Sequence, residues 1–512
     1  MTTLIPTPTE IAPEAAARTT EVDVAIVGSG FSGLGMAIQL LRDGVDDFVI
    51  LERAADLGGT WRDNTYPGCA CDVPSHLYSF SFEPNPGWTR TFSPQAEIWA
   101  YLRHCAEKYG VMSHIRFRHE VCSAQWDAER LRWQVETSGG AYSARVLIAA
   151  TGALSDPSVP ALKGLESFRG KVFHSAQWDH DYDLRGQRVA VVGTGASAIQ
   201  FVPRIQPLVA QMHVFQRTPA WIMPHPDRPL RDWERRVYKL LPALQLAMRG
   251  GIYWARESFV LGFLRNRMTL ASRIARRHLR EQVPDPELRR RLTPSYTIGC
   301  KRILISDEFY PALQQPNVEL VTDGIDEVRP HAIVSADGSE REVDAIIFGT
   351  GFQVTEMPVS ARVRNGEGTA LADVWRGSPQ ALMGSVVTGF PNFFMMLGPN
   401  TGLGHTSQIV MIESQINYVS GALRHMRSVG VATLEVRADA QEAYNAEVQE
   451  RLQPTVWNSG GCRSWYLDRN GRNSTLWPGS TWSFRTRTRH FRPSDFVQRF
   501  APLGTFAASR AS

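Results

Sequence analysis

Residues 23–53, DVAIVGSGFSGLGMAIQLLRDGVDDFVILER, constrain the fold more tightly than any other stretch of the chain. Val22 to Val27 is an apolar run of buried-strand length. Gly28, Gly30 and Gly33 follow as G-x-G-x-x-G, and Leu34, Ile38 and Leu41 then recur at helical spacing. Gly44 stands where a helix would stop, and a second apolar run, Phe48 to Leu51, ends in Glu52, 24 residues past Gly28. Glycines allow a tight turn and close approach of a pyrophosphate. The helix start offers free N–H groups and the positive end of its dipole, and the acid accepts hydrogen bonds from ribose hydroxyls. The unit predicts a dinucleotide-binding α/β fold; the alternative is a glycine-rich turn in some other α/β domain.

The unit has a partner. Arg188 to Gln200, RVAVVGTGASAIQ, again runs from strand to glycine turn to helix, as Gly193-x-Gly195-x-x-Ala198, with alanine in the third position. Pro203 lies inside the helix that Ala198, Val202 and Ile205 outline, and should kink it or confine it to its first turns. The strand Met212 to Phe215 ends in Gln216, Arg217 and Thr218 where the first unit has Glu52. An acid would repel a 2′-phosphate, whereas glutamine, arginine and threonine would accept one. The first site therefore suits a nucleotide with a free ribose 2′-OH and the second suits NADPH. Ala144 to Gly152 and Val343 to Gly351 are each a strand ending in Thr-Gly, which marks where the chain crosses between folds. The expected architecture is α/β with two Rossmann-like dinucleotide-binding domains. The first is discontinuous, 1–155 and 355–512, and the second spans 156–354 with a helical insertion at about 224–296.

Composition narrows the function classes. A formal charge of +4 over 512 residues argues against nucleic acid as the main partner. Cys69, Cys71, Cys105, Cys122, Cys300 and Cys462 form no paired C-x-x-C sets, so neither a metal site nor a disulfide framework is expected. Residues 1–20, rich in Pro, Thr and Ala, read as a disordered lead-in without the features of a signal peptide. The most apolar long stretch, Leu240 to Leu264, is interrupted by Arg249, Arg256 and Glu257, so no transmembrane segment is expected and a cytoplasmic location is the default. Arginine is dense from Arg265 to Arg291. That face could touch anionic lipid; the expected reading is a solvated helical face with some Glu partners and no peripheral membrane contact.

Immediately after Glu52 comes GGTWRDNTYPGCACD. It resembles the G-G-x-W-x(4)-Y-P-G-x(3)-D segment of the type I Baeyer–Villiger monooxygenases, a branch of the class B flavoprotein monooxygenases. Gly58, Gly59, Trp61, Tyr66, Pro67, Gly68 and Asp72 fill the fixed positions. A second signature, F-x-G-x(3)-H-x(3)-W-[PD], is met by Phe168, Gly170, His174, Trp178 and Asp179, and the final Trp-Asp favours this branch over the flavin-containing monooxygenases. GPN at Gly398 to Asn400 and SWYLDRNGRN around Trp465 are similar to further family segments. Gly349 replaces the usual alanine of the A-T-G strand end.

The resemblance implies an enzyme that uses FAD, NADPH and O2 to insert one oxygen atom beside the carbonyl of a small-molecule ketone, giving an ester or lactone through a C4a-peroxyflavin. Such chemistry calls for a permanent cation near the flavin. The YTIGCKR segment, Tyr296 to Arg302, resembles the family's K-R pair, which implies Arg302 as that cation and Asp72 as the acid orienting it; without the other motifs this would read as a surface basic pair. By the same resemblance FAD would be held by Gly28, Gly30, Phe31, Gly33, Glu52, Gly59, Thr60, Trp61, Asp72, Tyr78 and Val121. NADPH would be held by Gly193, Thr194, Gly195, Ser197, Arg217, Thr218 and Lys301. Trp465 and Tyr466 would belong to a C-terminal loop that closes over substrate, and His174 and Trp178 read as scaffold. The competing readings are a flavin-containing monooxygenase acting on soft nitrogen or sulfur, and a non-oxygenating NADPH–flavin reductase or oxidase. A disulfide reductase of similar layout would need a redox C-x(2–4)-C pair, which the sequence lacks.

Overall fold

The computed structural model describes residues 19–355, 357–462 and 464–500; the expected lead-in, apart from its last two residues, lies outside the described residues. Two sheets organise the chain. The first places its strands in the order Val363–Arg364, Val121–Asp127, Arg132–Thr137, Gly140–Ala149, Thr20–Val27, Phe48–Glu52 and Ile115–Phe117, with Phe393–Met395 also paired to Gly140–Ala149. Its centre is parallel. Phe48–Glu52 is buried at every position, as a strand covered on both faces must be. The second sheet is parallel throughout, in the order Val318–Val321, Gln211–Phe215, Arg188–Val192, Ala345–Phe348 and Lys171–His174.

The chain leaves the first sheet after Ala149 and comes back to it through Val363–Arg364 and Phe393–Met395. The two crossing segments meet each other: Pro157 bridges Phe352, Ser158 N donates to Gly351 O at 2.8 Å and Gln353 N to Asp156 O at 3.0 Å. A helical excursion leaves the second fold after Ile222–Met223 and rejoins it at Leu304–Ile305, and these two short strands pair in parallel. Between them stand five helices: Asp232–Leu240, Pro242–Ser258, Val260–Leu264, Thr269–Gln282 and Pro286–Arg291. Pro203 falls in the last turn of the short helix Ala198–Ile205, which ends two residues later.

The glycine turns are set by steric need. A Cβ on Gly33 would stand 1.9 Å from Gly28 O, and one on Gly193, whose φ is +105°, would stand 2.6 Å from Gly349 O. The two departures from the family pattern in the second fold compensate each other. A Cβ on Gly349 would lie 3.2 Å from the methyl of Ala198, so the side chain gained at 198 is accommodated by the one lost at 349. The first fold makes the opposite choice, with Ala150 and Gly33 at the corresponding positions.

Gly33→Ala is expected to lower stability by about 1–3 kcal/mol through overpacking. At Gly195 the nearest atom to an added Cβ is 3.7 Å away, so Gly195→Ala should leave the melting temperature unchanged. Thermal unfolding of the two variants side by side checks both.

Candidate active site

The two sheets present their glycine turns to one shared cleft of about 1180 Å³, larger than the roughly 300–1,000 Å³ typical of a single drug-sized ligand. Every site residue expected from the sequence lines it except Gly33, which packs against the turn from behind. On the first side, Gly30 caps helix Phe31–Arg42 with no side-chain hydrogen bond to its first N–H groups, which leaves those donors for an anion. Gly59 faces Gly30 backbone to backbone, a Cβ on Gly59 coming 3.4 Å from Gly30 Cα. Phe31 and Trp61 each meet the Tyr78 ring edge-on at 5.4 Å, and Trp61 Nε1 donates to Tyr78 Oη at 3.0 Å. Gly59, Thr60, Trp61, Tyr78 and Val121 thus form one wall with Phe31.

Glu52 stands at the tip of its strand and is already engaged. Its Oε2 accepts from Ser29 N at 3.0 Å and Ser29 Oγ at 2.6 Å, and its Oε1 from Arg62 at 2.8 Å and Ala54 N at 2.9 Å. Burial works against the carboxylate, but Arg62 and these donors outweigh it and hold its pKa below the ordinary value. A ribose hydroxyl would have to replace one of these partners or share an oxygen with it. Sequence reasoning missed both Ser29 and Arg62.

On the second side, Gly193, Thr194, Gly195 and Ser197 line the cleft, followed by Arg217, Thr218 and Lys301. Gln216 lines the cleft as well, but its side chain is mostly buried and its Nε2 is already committed, donating to Arg291 O at 3.0 Å on the helical excursion. Burial, and then the neighbouring Arg217, push the Lys301 ammonium pKa down. Two cations converge there, and neither is ion-paired among the described residues.

The two sides meet at Asp72 and Arg302. Arg302 Nε and Nη2 donate to the two carboxylate oxygens, each at 2.7 Å. About a third of each side chain remains open to the cleft. Burial alone would raise the Asp72 pKa, yet the guanidinium and its hydrogen bonds hold it below the usual carboxylate range. The Asp72 charge in turn raises the already high arginine pKa. Asp72 hangs from a turn fixed by Cys69 N to Tyr66 O at 3.1 Å and Cys71 N to Ser93 O at 2.9 Å. That turn is tied across to the second fold, where Tyr66 Oη donates to Gln200 Oε1 at 2.9 Å and Gln200 Nε2 to Ala70 O at 3.1 Å. Arg256, on helix Pro242–Ser258, adds a second positive field at Asp72. Neither Arg256 nor Gln200 belongs to a motif, so neither could be singled out from the sequence.

Trp465 is 46 % exposed at the cleft, and its neighbour Tyr466 is buried. Burial pushes the Tyr466 phenol up to about 12, while Arg302 pulls it down. The turn Gly398 to His405 is bound to the segment that follows: Asn400 N donates to Ser474 O at 2.8 Å and Gly402 N to Thr475 O at 2.7 Å. His174 is buried with its Nδ1 accepting from Ala176 N at 3.1 Å, and Trp178 is wedged between Phe173 and Phe201. Neither lines the cleft. Among the described residues no group of three or more His, Cys, Asp or Glu side chains is placed to hold a metal ion.

The expectation for the cysteines fails. Cys300 and Cys462 form a disulfide across 162 residues, joining the residue before Lys301-Arg302 to the loop that carries Trp465. Spacing rules see only cysteines that are close in sequence, and this pair is brought together by the fold. Thr297 N donates to Gly460 O at 3.0 Å beside it, and a Cβ on Gly460 would stand 2.7 Å from Cys300 Cβ, so glycine is needed for the loop to approach. Thiol titration of the denatured, unreduced protein should count the four free cysteines, Cys69, Cys71, Cys105 and Cys122, and all six after reduction.

Comparison with known proteins places this geometry. Residues 21–242 match the family described as flavin-binding monooxygenase-like. The chain is 55 % identical over 485 residues to a Baeyer–Villiger monooxygenase of Streptomyces coelicolor, covering 94 % of this chain and 93 % of the relative. It is 52 % identical to one of Pseudomonas aeruginosa, with 94 % and 93 % covered. The crystal structure of cyclohexanone monooxygenase from Rhodococcus sp. Phi1 bound to NADP+ superposes with a TM-score of 0.83 at 27 % identity, over 94 % of this chain and all of that one.

Proposed function

The chain belongs to the Baeyer–Villiger monooxygenases of the flavin-binding monooxygenase-like family, and we propose how its own residues divide that enzyme's work. It is an FAD-dependent, NADPH- and O2-consuming monooxygenase that inserts one oxygen atom beside a ketone carbonyl, giving an ester or lactone. The cleft fits the cofactors on its own evidence. Its glycine turns exclude side chains, its helix start carries free donors, and the buried Thr151 and Thr406 hydroxyls on its lining have no partner among the described residues. FAD, when bound, supplies the oxygen-activating chemistry, and NADPH supplies the electrons.

The observation that carries the assignment of roles is the bidentate Arg302–Asp72 pair in the cleft wall between the two glycine turns. Arg302 keeps its proton at every working pH, so it offers a fixed positive charge to the oxyanion that develops on the ketone carbonyl. Asp72 holds the guanidinium plane by two bonds and leaves its remaining N–H groups to face the substrate. Gly28, Gly30 and the start of helix Phe31–Arg42 take the FAD pyrophosphate, and Glu52 takes the ribose, steadied by Arg62. Phe31, Thr60, Trp61, Tyr78 and Val121 pack the flavin side. Gly193 to Ser197 take the NADPH pyrophosphate, while Arg217, Thr218 and Lys301 grip the 2′-phosphate. Trp465, tethered through Cys462, covers the substrate.

Arg302→Ala should retain FAD and its NADPH-driven reduction while making no ester. Product analysis beside stopped-flow flavin reduction tests this, and ester at near wild-type rate would remove Arg302 from the role. Arg217→Ala should weaken NADPH by roughly 10–100-fold, the worth of a charge-assisted hydrogen bond, with little effect on NADH. Equal losses for both coenzymes would show that Arg217 does not read the 2′-phosphate.

A further inference from the structure

Helix Pro242–Ser258 is turned inside out. It buries Gln245, Arg249 and Glu257, while Leu244, Met248 and Trp254 are 47 %, 43 % and 59 % exposed. The inward polar groups are all engaged. Gln245 Nε2 donates to Asn85 O at 2.7 Å, Arg249 Nη1 to His76 O at 2.9 Å and Ser79 Oγ at 3.0 Å, and Glu257 accepts from Thr481 N at 3.1 Å. Rotating the helix to hide its apolar side would strand these groups, so the apolar side is fixed outward. It is not isolated. Leu240 precedes it at 77 % exposure, Leu270 opens helix Thr269–Gln282 at 70 %, and Trp254 packs 6.0 Å from Trp482, itself 53 % exposed. Eleven of the 22 exposed large apolar side chains among the described residues fall between Trp233 and Ile274. Exposed apolar side chains so concentrated in one excursion point to an interaction surface.

Charge identifies what covers it. Residues 232–282 contain eleven Lys or Arg and four Asp or Glu, a net of +7, in a chain whose total is +4. Helix Thr269–Gln282 contains one acid, Glu281, which pairs with Arg277; Arg273 and Arg280 meet no acid among the described residues. The solvated face with some Glu partners expected from the sequence has two, Arg277 with Glu281 and Arg290 with Glu287, while Arg273 stands one turn after the exposed Leu270 on the same helix. A second copy of the chain packed about a two-fold axis would set +7 against +7. An anionic lipid surface offers what both halves of the patch require: negative headgroups for the arginines, an apolar layer for the leucines, and a boundary between them where tryptophan is favoured. Among the described residues no helix is long and apolar enough to cross a membrane.

We propose that the helical excursion, through helices Asp232–Leu240, Pro242–Ser258 and Thr269–Gln282, docks the enzyme peripherally on an anionic lipid bilayer, lying on its surface without spanning it. The docking face is the outer side of the helix whose inner side touches the cleft machinery: Glu257 Oε1 lies 3.3 Å from Nε2 of His405, which ends the Gly398 to His405 turn.

The test uses full-length, FAD-loaded protein and sedimentation with vesicles of phosphatidylcholine alone or with a third phosphatidylglycerol. The protein should pellet with the anionic vesicles, stay free of the neutral ones, and be released as salt is raised. Leu244→Glu with Leu270→Glu should lower vesicle affinity by about tenfold or more. Arg273→Ser with Arg280→Ser, which leaves the apolar side untouched, should lower affinity for the anionic vesicles in the same direction. Flavin content and NADPH oxidation should be unchanged in both pairs. Absence of the wild-type protein from the anionic pellet, or wild-type affinity for the anionic vesicles in both double variants, overturns the proposal. So does sedimentation velocity that finds the 57.2 kDa chain as a dimer which Leu244→Glu dissociates, since the covering partner would then be a second copy.

Discussion

A guanidinium from one nucleotide fold, held by two hydrogen bonds to a carboxylate from the other, is the contact on which the cleft depends. Asp72 arrives on the turn that follows the first glycine unit, and Arg302 on the segment that re-enters the second fold, 230 residues later. Each would be costly so deep in the cleft alone, and together they offset much of that cost while remaining a third open. The pair therefore orients the side chain proposed as the fixed charge, and it also ties the two folds together across the cleft. Tyr66 and Gln200 repeat the arrangement with neutral groups a few residues away. A change that loosened either would act on cleft geometry before it acted on any cofactor contact.

The two glycine cradles show how a repeated motif tolerates change without losing its geometry. In the first fold Gly33 must lack a side chain because Gly28 O stands in the way. In the second fold the corresponding Ala198 has a methyl, and Gly349 on the neighbouring strand makes way for it. Read one position at a time, both look like departures from a family pattern. Read as neighbours in space, they are a single exchange of volume across a helix–strand contact.

What the sequence made legible is what depends on local order. Strand, glycine turn, helix and terminal residue follow one another within about thirty positions, so the α/β units and the residues lining the cleft could be named before any coordinates. What it hid depends on distant neighbours. Gln216 had the right place in the chain for a phosphate contact, but Arg291, brought close by the helical excursion, offers its carbonyl and turns the amide inward. Cys300 and Cys462 carry no spacing signal because the fold alone joins them. Glu52 stood out in the sequence as the expected ribose acid, while Arg62 and Ser29, which bond to it, did not, since their contacts exist only once the turn closes.

Helix Pro242–Ser258 shows the limit of reading burial from residue type. Arg249, Arg256 and Glu257 interrupt its apolar run and so suggest an outward polar stripe, yet Arg249 and Glu257 are the buried ones. A helix that buries arginine and glutamate gains little from hydrophobic packing on that side; it is held by groups that must each find a partner. Arg249 finds His76 O and Ser79 Oγ, and Glu257 finds Thr481 and His405. Such an anchorage is directional: it sets the rotation of the helix about its own axis, which apolar contact alone would leave loosely defined. The rotation is what keeps Leu244, Met248 and Trp254 facing out together. The same polar network that braces the helix against the cleft therefore also maintains the surface on its far side.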